Sequence, residues 1–123
     1  MSRAIDRYLA AWNAGDGRGV AAALTEHGSY ADPTSGGPLS GDALAAYVDD
    51  LAAGFPDLRF EVVGVATIGR RSAVLRWVMH GTNTGSCSYG GPTGVAIAIA
   101  GADFLEYDPV HDRISSVVGY LDA

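Results

Sequence analysis

The chain has 123 residues, is 48% hydrophobic, carries a net charge of −6 and contains one cysteine, Cys87. That length suits one domain, and that apolar content excludes disorder as the reading of the whole chain. The acidic balance argues against nucleic acid or a membrane as partner, a lone cysteine excludes an internal disulfide or a cysteine-built zinc site, and no apolar run reaches the ~18 residues of a membrane span.

The N-terminus runs straight into a helical pattern, which predicts no signal peptide and a cytoplasmic protein. Ser2 is a candidate N-cap, and Ile5, Tyr8, Leu9 and Trp12 recur at helical spacing to make one apolar stripe. Asn13-Ala14-Gly15-Asp16 stops that helix, with Gly15 suited to the left-handed position after it. A second short helix is expected over residues 20–24, and a short strand over 28–31 that ends at Asp32-Pro33. Pro33 restricts Asp32 to extended backbone and so sets the direction in which its carboxylate leaves the strand. Residues 34–38 form a loop. Ser40 caps a third helix with Leu44, Tyr47, Val48 and Leu51 as its buried stripe, closed by Gly54-Phe55-Pro56-Asp57.

The remainder reads as strands over 59–68, 72–82, 95–107 and 114–121. Gly69-Arg70-Arg71 and residues 108–112 are turns, and residues 83–94, rich in glycine and serine, are a loop. Helices first and mostly antiparallel strands afterwards make an α+β layout, with helices packed on one face of a bent sheet. On the strand over 95–107, Ile97, Ile99, Gly101, Asp103, Leu105 and Tyr107 share a face by two-residue alternation. Asp103 is then a carboxyl on an apolar face, where it should be neutral or paired.

Three segments carry a family resemblance. Residues 7–16 (Arg-Tyr-Leu-Ala-Ala-Trp-Asn-Ala-Gly-Asp), Ala31-Asp32-Pro33 and Pro38-Leu39-Ser40-Gly41 resemble the first half of a ketosteroid isomerase. Phe55-Pro56-Asp57-Leu58-Arg59-Phe60-Glu61 and His80-Gly81-Thr82-Asn83-Thr84-Gly85 are closer to the SnoaL-like polyketide cyclases. Both groups have the cone-shaped α+β fold named after nuclear transport factor 2 (NTF2-like), and the resemblance spans essentially the whole chain. It implies a pocket enclosed by helices and a bent sheet, a homodimer, and a hydrophobic small-molecule substrate handled without cofactor or metal. It also implies residue roles. Asp32 matches the isomerase's base, Tyr8 its oxyanion-hole tyrosine, and Asp103 its protonated oxyanion-hole aspartic acid. The essential aspartate on the last strand of the cyclases, and of the similarly folded limonene epoxide hydrolases, is replaced here by Gly119.

Those roles make chemical sense together. Removing a proton beside a ketone needs a base near the C–H bond and donors aimed at the oxygen that gathers charge. Asp32 would take the proton, and Tyr8 with neutral Asp103 would hold the enolate; attack of that enolate on a second carbonyl would instead close a ring. Each residue also has a plainer reading. Tyr8 fits a helix core position, Asp32 fits turn punctuation before proline, and Asp103 fits a structural pair with an arginine. Trp12, Phe55 and Tyr120 are expected as pocket wall or core. Arg76 is a candidate for a polar or anionic substrate group, and His80 either enters the pocket or lies at a subunit contact. His27 and His111 should be solvated, Cys87 should be an inert loop thiol, and residues 85–94 lack a phosphate-loop pattern. The expected function is enolisation of a hydrophobic ketone, with epoxide opening on the same fold as runner-up and a non-catalytic ligand-binding dimer as the rival from another class.

Overall fold

A computed structural model describes residues 2–122. Ser2 Oγ accepts from Ile5 N at 3.1 Å and starts helix α1 (Arg3–Asn13). Ala4, Ile5, Tyr8, Ala11 and Trp12 are its buried face. Gly15 follows with φ +65°, a conformation that favours glycine. The next helix, α2 (Gly17–Ala22), begins and ends earlier than expected. Asp16 caps it, its Oδ1 accepting from Gly19 N at 3.0 Å, and Leu24 belongs to the strand that follows. Gly17 lets α2 touch helix α3 (Gly41–Gly54): a Cβ there would stand 2.1 Å from the Ala45 carbonyl oxygen. Ser40 occupies the N-cap position of α3, but its side chain makes no capping hydrogen bond.

The strands are β1 (Leu24–Ala31), β2 (Arg59–Ile68), β3 (Ser72–Thr82), β4 (Ala96–Asp108) and β5 (Arg113–Asp122). They form one sheet in the order β1-β5-β4-β3-β2. Only β1 with β5 is parallel; the other pairs are antiparallel. β1 starts four residues earlier than expected. Its polar run Thr25-Glu26-His27 hides the strand pattern, and its register against β5 slips between Leu24 and Ser29.

One face of the sheet holds the helices. On β3, Ala73, Leu75, Trp77 and Met79 are buried toward them. Leu75, Leu105, Ile114 and Val117 from the sheet and Leu44, Val48 and Val20 from the helices are almost completely buried in one hydrophobic cluster. Each such side chain contributes about 1.5–3 kcal/mol by leaving water. The loop between β3 and β4 is anchored rather than loose. Asn83 Nδ2 donates to the carbonyls of Gly54 (2.9 Å) and Gly85 (3.0 Å), while its Oδ1 accepts from the Thr93 backbone and hydroxyl, both at 2.9 Å. This buried amide ties the loop to the end of α3.

Candidate active site

A cavity of about 280 Å³ lies between the helices and the inner face of the sheet. Its wall is aromatic and aliphatic, and Asp32, Thr34 and Asp103 are the polar exceptions apart from tyrosine hydroxyls. Tyr8 and Trp12 enter it from α1, four residues apart and so on one helix face. The Trp12 ring packs against Tyr30 (centroids 5.9 Å apart) and edge-on to Phe60 (5.2 Å). Phe55, just beyond α3, also lines the cavity.

Asp32 stands where β1 runs out, dressed with donors. Tyr30 Oη donates to its Oδ2 at 2.5 Å, and Tyr47 Oη lies 2.8 Å from Oδ2 and 3.0 Å from Oδ1. The backbone N–H and hydroxyl of Thr34 reach Oδ1 at 2.7 and 2.9 Å. Three of these donors come from residues two positions away. Tyr30 shares a strand face with Asp32, and Thr34 closes an Asx-type turn around it. Tyr47 arrives from the inner stripe of α3.

Asp103 is the opposite case. Only 6% of its surface is exposed, and its one hydrogen bond comes from Tyr8 Oη to Oδ2 at 3.4 Å, which is long. Its carboxyl is raised to about 6, first by burial and further by the charge on Asp32, against the opposing pull of the nearby Trp77 indole and the Tyr8 hydroxyl. The phenol of Tyr8 is raised well above 10, first by burial and then by Asp103, so it remains a proton donor throughout the physiological range. Tyr30 and Tyr47 are raised too, burial being the main cause for both.

Two glycines make room for this arrangement. Gly119 pairs with Asp103 across β4 and β5; a Cβ on it would lie 3.0 Å from Asp103 Oδ1 and 3.4 Å from Asp32 Cβ. Gly119 therefore faces both carboxylates, at the point where an acidic residue would crowd them. Gly101 lies beneath the Trp77 ring, where a Cβ would come within 2.3 Å of Cη2. Among the described residues no cluster of three His, Cys, Asp or Glu side chains could hold a metal ion.

The structure thus brings Tyr8, Asp32 and Asp103 to one cavity and adds Trp12 and Phe55 to its wall. It does not bring Arg76, His80 or Tyr120 there. Leu75, Trp77 and Met79 point inward, so Arg76 and His80 project from the other side of β3. His80 Nε2 lies 3.0 Å from Glu61 Oε1 on that outer side. Tyr120 is 56% exposed and stacks edge-on to Phe104, since its neighbours Gly119 and Leu121 take the inward positions. His27 and His111 are exposed. Sequence reasoning missed Tyr30, Thr34, Tyr47 and Trp77. Tyr30 and Thr34 were within reach, because both stand two residues from Asp32. Tyr47 required knowing how α3 packs, and Trp77 required the register of β3 on β4.

The SnoaL-like domain matches residues 5–117. The chain belongs to the SnoaL-like family. Solved structures of the same fold are similar over nearly all of it. A candidate isomerase of the SnoaL-like family from Agrobacterium tumefaciens is 26% identical, with 98% of this chain and 95% of that one covered at a TM-score of 0.71. A candidate SnoaL-like polyketide cyclase from Shewanella denitrificans is 19% identical, with coverage of 98% and 88% and a TM-score of 0.76. A hypothetical protein of ketosteroid isomerase-like fold from Catenulispora acidiphila is 16% identical, with coverage of 96% and 84% and a TM-score of 0.79. A search of curated proteins finds no match. These likenesses establish the NTF2-like cone fold expected from the sequence, with one parallel strand pair in its sheet. No described helix is long and apolar enough to cross a membrane.

Proposed function

We propose that this SnoaL-like protein is an acid–base enzyme that enolises a hydrophobic ketone without an organic cofactor, either moving a double bond as a ketosteroid isomerase does or closing a ring as a polyketide cyclase does. The observation that carries the reading is the pair of carboxyls in one apolar cavity, one surrounded by donors and the other nearly dry. Environments that push two acids apart are how one site supplies both a base and an acid.

In this mechanism Asp32 takes the proton from the carbon beside the carbonyl. The C–H electrons move into the new C=C bond, and the carbonyl π pair moves onto oxygen. Tyr8 and protonated Asp103 donate to that oxygen. Asp32 then returns the proton to a different carbon, or the enolate carbon attacks a second carbonyl, whose π pair moves to its oxygen and takes up the proton held by Asp32. The lone pairs of Asp32 are already well occupied, so one donor must step aside. Tyr47 is suited to this because its hydroxyl has a second partner, Thr34 Oγ1, at 2.7 Å. Gly119, which faces both carboxyls, provides no third acid, and this favours the isomerase-like route over epoxide opening and over the last-strand aspartate mechanism of the cyclases.

A homodimer is part of the same proposal. The outer sheet face carries Ala98, Ala100, Phe104, Val118 and Tyr120, all exposed, which is an apolar surface of the kind that a second copy covers.

The test is a β,γ-unsaturated ketone mixed with the protein, with the absorbance of the conjugated enone followed against pH. Turnover should fall as the pH rises past about 6, where Asp103 loses its proton. No turnover in any unsaturated ketone or cyclisable diketone, together with a ligand affinity indifferent to Asp32→Asn, would replace the enzyme with a binding module.

A further inference from the structure

Trp77 Nε1 is a buried donor with no hydrogen-bond partner among the described residues. A buried N–H left unpaired is costly, so its persistence calls for a reason. The indole is held firmly. It lies against Gly101, which must lack a side chain to admit it, and Phe60 meets it edge-on at 5.0 Å. Trp77 pairs with Gly101 and Leu75 pairs with Asp103, so Trp77 and Asp103 are diagonal neighbours on the inner face of adjacent strands. A ring of that length reaches across such a diagonal.

Among the described residues the Asp103 carboxyl has a single hydrogen bond, the long one from Tyr8. The Tyr8 hydroxyl has one proton to give. Once a ligand oxygen takes that proton, Asp103 loses its only donor at the moment when its position matters most. We infer that Trp77 is a positioning residue for Asp103, its indole N–H closing on the Asp103 carboxyl when Tyr8 turns to a ligand oxygen. Asp103 can then keep one oxygen on Trp77 and offer the proton on the other to the ligand. The groups facing Asp103 are Tyr8 from α1, Asp32 from the end of β1, Trp77 from β3 and backbone only from Gly119 on β5, with Tyr30 behind Asp32. The Trp77 indole lies near enough to hold the Asp103 carboxyl lower than burial alone would, while making no hydrogen bond to it.

The inference rests on the carbonyl-binding role of Tyr8 and Asp103, but its test needs no turnover. The indole N–H proton resonance of Trp77, assigned by its loss in Trp77→Phe, should move downfield by several tenths of a ppm on saturation with 2-naphthol. In Asp103→Leu that shift should vanish. Replacing Trp77 with 3-benzothienylalanine, which keeps the shape and removes the N–H, should weaken 2-naphthol binding roughly three- to tenfold and raise the pH at which the Asp103 carboxyl titrates. An indole signal that does not move, or that moves equally in Asp103→Leu, overturns the inference. So does a benzothienyl protein whose Asp103 titration is unchanged. Ketone turnover that is absent while the indole shift is present sinks the proposed reaction and leaves the role of Trp77 standing.

Discussion

Asp32 and Asp103 are the same residue type in the same cavity, yet their surroundings differ almost completely. Asp32 sits at a strand end, where a turn, a neighbouring tyrosine and a helix tyrosine together supply hydrogen bonds to both oxygens. Asp103 sits mid-strand on a buried face with one long bond. The difference follows from backbone position. A chain leaving a strand has free amides and short-range side chains to offer a carboxylate, whereas mid-strand amides are committed to the sheet. A carboxyl in the middle of a strand must find side-chain donors or give up its charge.

The contrast breaks most sharply at the base. Asp32→Asn should lower turnover of the unsaturated ketone about 10²–10⁴-fold while circular dichroism stays unchanged; full activity would remove Asp32 from the reaction. Asp103→Leu should cost about 10²–10³-fold. Asp103→Asn, which keeps an N–H donor, should retain part of that rate and lose the fall above pH 6.

Stability offers a second view of Asp103. Its carboxyl binds protons more tightly in the folded chain (about 6) than at its ordinary value of 3.8. The stability it contributes is therefore fully present below pH 3.8 and is lost as the pH rises through 6. The difference corresponds to about 3 kcal/mol, so urea unfolding should show wild type losing about that much between pH 4 and 7 relative to Asp103→Asn. Asp57, Asp108 and Asp112 act in the opposite sense and at more acid pH. They are held low first by the Thr82 N–H, His111 and Tyr107 respectively.

Gly101→Ala should destabilise the fold by about 1–3 kcal/mol in thermal or urea melts, because the new methyl meets the Trp77 ring and the Tyr120 carbonyl. Tyr47→Phe should have a smaller effect, freeing a lone pair of Asp32 and raising kcat a fewfold; a fall in kcat would mean that Tyr47 orients the base. Arg76→Ala with His80→Ala should leave KM and kcat unchanged, since both side chains point away from the cavity.

Much of this fold was legible in the residues. The cap of α1 and the apolar stripes of α1 and α3 are local patterns, and β2 and β3 run between the residues expected from the alternation of β3 and the Gly69-Arg70-Arg71 turn. The placement of Asp103 on an apolar face also followed from alternation alone. β1 was read short because a parallel edge strand with a register slip need not alternate cleanly.

The sequence by itself determined the α+β layout and the family resemblance and singled out Tyr8, Asp32 and Asp103 as candidates, because periodicity and short motifs are properties of neighbouring residues. Only the tertiary structure decided which side of β3 faces the cavity, and so excluded Arg76 and His80. It alone brought Tyr47 to Asp32 and Trp77 to the neighbourhood of Asp103. Those meetings depend on helix docking and strand register. Both rest on close contacts between distant segments, such as Trp77 over Gly101, Asp103 and Asp32 against Gly119, and Gly17 against Ala45, a constraint that no single segment of the chain carries.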